Sequence, residues 1–386
     1  MNILFITEIS TFPINGGEKI RSYSLIKMLD NLFDNVNVIL TNKNNSDINS
    51  FKKFYNLTNT NFLEYKKTKK SKLDIILKYL YKDKNLMSLI QSVNLKEIDL
   101  VFLDYYFLGQ YISFFQKINI PVIYGTHNAQ ALLTLQEETN SMLDIIKKYI
   151  NLIPQMIHEK IYFKDSNLLI TVSNEDKKYH SKLIDSEKIL VIPNLLDYDL
   201  YNSNEKLEKE NYIVMTANFN SFQNFFGIKW FLENVWDEEL DLKINLKLVG
   251  KGSESLFEKI DFKQYKNIDV IGPVEDINKF IKKASLSIVP LQHGSGSRLK
   301  CIEAMALKTT LISTKLGVEG IEHNNSVLVA SNANEFKTLI LKTLSNTEQN
   351  KKLANEAFKI FVKKYTIQSI ENTFKSKISK LLKDKQ

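Results

Sequence analysis

The chain has 386 residues, 44% of them hydrophobic and 25% charged, with a formal net charge of +8. That length exceeds what one core usually supports and points to two domains, and the composition excludes a disordered or solenoid-repeat protein. Cys301 is the single cysteine, which excludes an intrachain disulfide, and Asp99 and Asp104 interrupt the best apolar stretch, so no span of about 18 uncharged residues crosses a membrane.

Met1 to Glu8 lacks a basic n-region and breaks its apolar run at an acid, so it reads as a buried strand rather than a signal peptide. A reducing, cytoplasmic setting fits this start and the cysteine usage. Further strand-like runs follow at Val36 to Leu40, Leu100 to Asp104, Val122 to Thr126, Leu168 to Val172 and Ile189 to Ile192. Helix-length segments separate most of them, the βαβ pattern of a parallel sheet. Lysines crowd positions 66 to 84, with Tyr65, Tyr79, Leu73, Ile75 and Leu77 interleaved, as do those of the last stretch, Lys375 to Lys385. Either a solvated helix face or a basic amphipathic helix on an anionic membrane explains that composition; no motif supports nucleic acid.

After Pro193 the polar segment Asp197 to Glu210 marks a domain boundary, and the strand pattern then restarts. Tyr212 to Thr216, Leu246 to Val249, Ile268 to Ile271, Leu286 to Val289, Thr310 to Ser313 and Val327 to Val329 form the second series. Beyond Tyr365 one amphipathic helical pattern has no strand of its own and must dock on a folded domain. The expected organisation is α/β, with two Rossmann-like doubly wound domains: 1–196, joined by a returning helix at 366–386, and 197–365.

Ten of the twelve glycines follow predicted strands or sit in the next loop, including the pairs 16/17, 250/252 and 294/296. Ligands of doubly wound sheets bind at that edge, although βα turns often need glycine anyway. Arginine occurs only at positions 21 and 298, so lysine serves wherever a bare charge suffices. A planar fork suits phosphate or carboxylate in a way that an ammonium does not. Arg298 lies in His293-Gly-Ser-Gly-Ser-Arg-Leu-Lys-Cys-Ile-Glu-Ala-Met-Ala306, a glycine-flanked loop entering a helix. Backbone N–H groups there, with Arg298 and Lys300, suit a diphosphate, and Glu303 can accept hydrogen bonds from sugar hydroxyls.

These residues, with Ile271-Gly-Pro-Val-Glu-Asp-Ile and Val289-Pro-Leu, resemble the second domain of retaining GT-B glycosyltransferases of the group-1 (family 4) type. Gly16-Gly17-Glu18, Thr126-His127-Asn128, Val172-Ser173, Ile192-Pro193-Asn194 and Val249-Gly-Lys-Gly252 match family landmarks in order, so the resemblance covers the chain outside roughly 45 to 95. It implies that Glu303 holds the donor's ribose, that Val274 and the Gly250-Lys251-Gly252 loop border the base, and that Gly16 and Gly17 touch the donor phosphate or sugar. His127 would lie near the reacting sugar and acceptor, and His293, Gly294, Ser295, Gly296 and Ser297 around the donor. Two departures stand out: Ser295 replaces the first acid of the family's glutamate pair, and Asn218 and Asn224 replace a phosphate-binding arginine and lysine. Arg298 and Lys300 are expected to supply the displaced charge.

The implied activity is transfer of a hexosyl or related sugar from a nucleotide-sugar to a saccharide or lipid-linked acceptor, in polysaccharide or lipopolysaccharide synthesis, with retention. Front-face attack, with the leaving phosphate taking the acceptor proton, needs no dedicated base, metal or cofactor. The triplet Asp197-Tyr-Asp199 reads as structural, and no His/Cys cluster has metal spacing. A cytoplasmic protein, peripheral on the inner face of the plasma membrane, is expected. A GT-B epimerase, a catalytically silent partner subunit and a two-lobed solute-binding protein are the other classes compatible with the pattern.

Overall fold

A computed structural model of the chain describes residues 1–8, 16–41, 52, 56–65, 82–136, 141–201, 207–293 and 298–383. It divides into two compact units, Met1–Leu195 with Ile370–Gln386, and Leu196–Ser369. Most of the expected 66–84 helix and the whole of Gly294 to Ser297 lie outside the described residues.

In the first unit, β1 (Asn2–Thr7), β2 (Asn35–Leu40), β3 (Thr60–Leu63), β4 (Leu100–Asp104), β5 (Val122–Gly125), β6 (Leu168–Thr171) and β7 (Ile189–Val191) form one parallel sheet in the order β3-β2-β1-β4-β5-β6-β7. The inner strands are apolar almost throughout because helices cover both faces: all five residues of β4 are buried. The order reverses between β1 and β4, whose register sets Thr7 beside Asp104. Helix α1 (Gly17–Leu32) follows β1, and α2 (Gln130–Gln136) leads to α3 (Met142–Asp165), a 24-residue helix capped by Ser141, whose hydroxyl accepts from the Asp144 N–H.

Helix α3 packs in an unusual sense. Its Gln155, His158 and Glu159 are buried, whereas Met142, Leu143, Ile146, Ile150, Ile153 and Ile157 are exposed, Met142 by 80% and Ile150 by 65%. Two of the three buried polar groups are held by side-chain hydrogen bonds. His158 Nε2 donates to the Tyr106 carbonyl at 2.7 Å, and the Glu159 carboxylate accepts from the Ala131 N–H at 3.0 Å and the Tyr179 hydroxyl at 3.2 Å.

The second unit has β8 (Glu210–Thr216), β9 (Asn245–Val249), β10 (Ile268–Gly272), β11 (Ala284–Val289), β12 (Leu311–Thr314) and β13 (Leu328–Ala330), parallel in the order β10-β9-β8-β11-β12-β13. Helix α4 (Phe222–Asn234) follows β8, and α5 (Leu299–Ala306) follows β11. Helix α6 (Thr347–Lys364) ends at Tyr365, and α7 (Ile367–Lys383) closes the described chain.

The sequence boundaries at 196/197 and 365/366 differ slightly from those of the compact units. Leu196 bridges to Thr366, donating to the Tyr365 carbonyl at 2.8 Å and accepting from the Ile367 N–H at 3.3 Å. That small ladder keeps both crossing segments in the second unit. From Ile370 onward α7 belongs to the first, burying Phe374 and Ile378 and stacking Phe374 on Phe102 at 6.4 Å. The third strand escapes the sequence pattern because β3 is a four-residue edge strand, paired only with β2. Asp30 anchors it, accepting from the Thr58 and Asn59 N–H groups and the Thr60 hydroxyl.

Candidate functional sites at the two sheet edges

Each sheet reverses strand order at one point, and the crevice outside the carboxyl ends of the strands there is where doubly wound sheets take ligands. In the first unit that edge brings Thr7, Asp104 and Gly125 side by side. His127 follows β5, and its Nε2 lies 3.1 Å from Asp104 Oδ1. Ser22, on α1, donates to Asp104 Oδ2 at 2.7 Å. Gly125 leaves room for this pairing, since a Cβ there would meet the Phe102 ring at 2.9 Å and Asp104 Oδ1 at 3.2 Å.

Asp104 is fully buried, which by itself disfavours its charge, but the His127 and Arg21 charges and the bonds from His127 and Ser22 prevail and hold its pKa below the ordinary value. His127 Nδ1 is buried without a hydrogen-bond partner among the described residues. A cavity of about 300 Å³ borders it, lined by Glu18, Tyr105, His127, Asn128, Asn151 and Gln155 among others. Gly16 and Gly17 open α1 nearby in sequence to Glu18, both exposed, and the Gly16 carbonyl accepts from the Ile20 N–H at 3.0 Å.

In the second unit, the loop after β9 folds tightly against the end of β8. Gly250 has φ +132°, and a Cβ there would meet the Ala217 carbonyl oxygen at 2.2 Å, so only glycine fits. The Phe219 N–H donates to the Lys251 carbonyl at 2.8 Å, and a Cβ on Gly252 would meet the Asn220 side chain at 2.4 Å. Lys251 and Asn218 are exposed on this edge, and Val274 packs half-buried against the cluster that holds Val249 and Leu291.

Three expected donor ligands converge where α5 begins. Arg298 is buried and donates to Glu319 Oε2 at 3.4 Å; burial lowers its pKa and the Glu319 charge counters that. The Lys300 ammonium donates to Asn224 Oδ1, while Asn224 Nδ2 donates to the Asn218 carbonyl at 2.9 Å and Ser221 Oγ at 2.7 Å. Burial pushes Lys300 down to about 8. Glu303, one turn further along, accepts from the Tyr201 hydroxyl at 3.4 Å. Burial raises it to about 7, with Lys300 and Tyr201 opposing. His293 lies edge-on to Phe222 at 5.9 Å and Phe226 at 6.0 Å.

Several functional candidates were not legible beforehand. In the sequence Asp104 ends a strand-like run and interrupts an apolar stretch, and its partnership with His127 depends on β4 and β5 being neighbours. His158, in a plain sequence context, is a buried link between Tyr106 and Tyr124. Asp197 accepts from the Asp199 N–H at 3.1 Å, the local turn of a structural triplet. Among the described residues, no group of three or more His, Cys, Asp or Glu could hold a metal ion.

Residues 210–346, most of the second unit, match the model of the family described as Glycosyl transferases group 1. An uncharacterized 44.6 kDa protein in the cps region of Klebsiella pneumoniae is 24% identical over 212 residues, 52% of this chain and 53% of that protein. The match thus spans about half the length of that relative. Among solved structures, sucrose-phosphate synthase from Thermosynechococcus elongatus superposes with a TM-score of 0.73 at 15% identity, over all of both chains. HepE from Anabaena, in complex with UDP and glucose, gives 0.69 at 15% identity over 98% of this chain and 100% of that one. WaaG, a glycosyltransferase involved in lipopolysaccharide biosynthesis, gives 0.64 at 12% identity over 96% and 98%. The two doubly wound units are the GT-B fold.

Proposed function

We propose that the chain transfers a sugar from a nucleotide-sugar to a saccharide or lipid-linked acceptor during synthesis of a cell-surface polysaccharide or lipopolysaccharide, at the inner face of the plasma membrane. The observation that carries this reading is the convergence of Arg298, Lys300 and Glu303 at the reversal edge of the group-1 unit. The UDP and UDP-glucose bound in the HepE structures support a uridine nucleotide as the first donor to try.

Breaking a sugar–phosphate bond requires stabilising a departing diphosphate and an oxocarbenium-like sugar. Arg298 offers a planar fork already ordered by Glu319, and Lys300 a cation seated on Asn224. That seat supports the exchange suggested by the sequence: Asn224, itself held by the Asn218 carbonyl, seats a lysine where the family pattern has cations at these two positions. Glu303, once ionised, accepts from ribose hydroxyls, and the Gly250 loop with Val274 borders the base. No metal or cofactor enters this scheme.

Retention by front-face attack is proposed on the resemblance. A second reading rests on the buried Asp104–His127 pair: ionised Asp104 would orient the imidazole and stabilise its cation as it takes the acceptor proton, the arrangement of a general base. The anomeric configuration of the first-formed product, read by NMR, separates the two. Thermal-shift titration with UDP and UDP-glucose tests the donor site. Arg298→Ala and Glu303→Ala should each weaken nucleotide binding by about 1.5 to 3 kcal/mol; unchanged affinity in both would sink the assignment.

A further inference from the structure

We infer that α3 is the element by which this protein docks on an anionic membrane, its apolar stripe lying in the interface and its opposite, polar face lining the His127 cavity. The docking does not depend on the proposed transferase activity. Met142, Ile146, Ile150, Ile153, Ile157 and Ile161 are all exposed, and their spacing of three and four residues puts them on one face. Asn151 and Gln155, which line the cavity, lie about half a turn around the helix from that face. Helices of globular proteins usually bury their apolar face; this one buries only Leu152 and Phe163 among its large apolar side chains, beside Gln155, His158 and Glu159, and leaves the isoleucine stripe exposed.

The charges identify what covers the stripe. Lys160 and Lys164 are exposed at its C-terminal end, on the same face, and Lys147, exposed and 3.9 Å from Asp144, borders its first half. Asp144 and Asp165 sit at the helix ends away from the stripe, and Glu159 is buried within the unit. An apolar strip bordered by lysines and free of acids complements a bilayer with anionic headgroups, where the isoleucines enter the acyl boundary and the ammonium groups stay among phosphates. A second copy of the chain would instead set Lys160 and Lys164 against an apolar face. The helix lies on the surface rather than crossing it, since its inner face carries buried His158 and Glu159, and no helix among the described residues is long and apolar enough to cross a membrane.

Flotation of the full chain with vesicles of equal phosphatidylglycerol and phosphatidylcholine tests this directly. The parent should float with them, and the Ile146→Glu/Ile150→Glu/Ile153→Glu variant should bind at least about tenfold less, with the same melting temperature and UDP affinity, because those side chains already face solvent. Lys160→Gln/Lys164→Gln should lose the preference for these vesicles over pure phosphatidylcholine. Equal flotation of parent and triple variant would overturn the proposal. So would a parent that binds no vesicles yet sediments as a dimer that the triple variant dissociates, since the stripe would then belong to a second copy. UDP binding is read separately, so loss of the donor reading leaves the docking result standing, and the reverse holds as well.

Discussion

The two sheet edges each use one of the chain's two arginines, and they use them differently. Arg21, buried on α1, donates to the Ile192 carbonyl at 3.1 Å and to Asn194 Oδ1 at 3.4 Å, with the charges of Asp104 and Asp176 opposing the cost of its burial. It fastens the end of β7 to α1 beneath the Asp104–His127 pair. Arg298 is held by the carboxylate of Glu319, which is half exposed, at a loop entering a helix. The rarity of arginine thus marks two places where a rigid fork is wanted, and only the neighbours distinguish one that ties protein to protein from one that is offered to a ligand.

The sharpest test of that contrast is a pair of alanine variants. Arg21→Ala removes one side of a buried charge network and should cost about 3 to 5 kcal/mol of stability in urea unfolding, while the folded fraction keeps its UDP affinity. Arg298→Ala should do the opposite, sparing most of the stability and losing nucleotide. If Arg21→Ala unfolded no more easily than the parent, the distinction between tie and ligand would collapse.

Asp104→Asn comes next in expected size. It retains the shape of the side chain and loses the charge that faces His127, so turnover with a suitable acceptor should fall by about a hundredfold if the pair acts in proton transfer, with UDP affinity unchanged. A variant with full turnover and parental product configuration would assign the pair to positioning alone. The smallest effect expected is on pH. Glu303, raised to about 7, gains its charge as pH rises through that value, and Lys300, lowered to about 8, loses its charge as pH rises further. If the charged forms of both bind donor, nucleotide affinity is highest between those values and declines on either side, by severalfold per limb on the order of one lost charged hydrogen bond. Lys300→Arg should extend the alkaline limb, and calorimetric titration across pH would show it.

The helices α3 and α7 show where sequence reading stops. Both are amphipathic, and α7 was expected to dock because it follows the last strand with no core of its own; it buries Phe374 and Ile378 as that pattern requires. The isoleucine stripe of α3 has the same periodicity and reads equally well as core. By composition the lysine-rich segment 66 to 84 is the stronger membrane candidate in the sequence, and most of it lies outside the described residues. What exposes the stripe is that His158 and Glu159 find side-chain partners inside the unit, at Tyr106, Ala131 and Tyr179, on the same side as buried Leu152 and Phe163.

Taken by itself, the amino-acid order determined the alternation of buried strands and helices, the restart near residue 210, and the glycine, arginine and glutamate positions of the second edge. Those features are local: strand hydrophobicity, a loop that admits only glycine, and a helix start carry their signature within a few residues. The tertiary structure alone decided that Asp104 meets His127, that Lys300 sits on Asn224, that Thr366 stays with Leu196, and that α3 buries His158 and Glu159 while its isoleucine stripe stays exposed. Each of these joins residues separated by 23 or more positions, or depends on which face of a helix finds hydrogen-bond partners. No periodicity along one segment contains that information, because it is set by which strands are neighbours and which buried polar groups are satisfied.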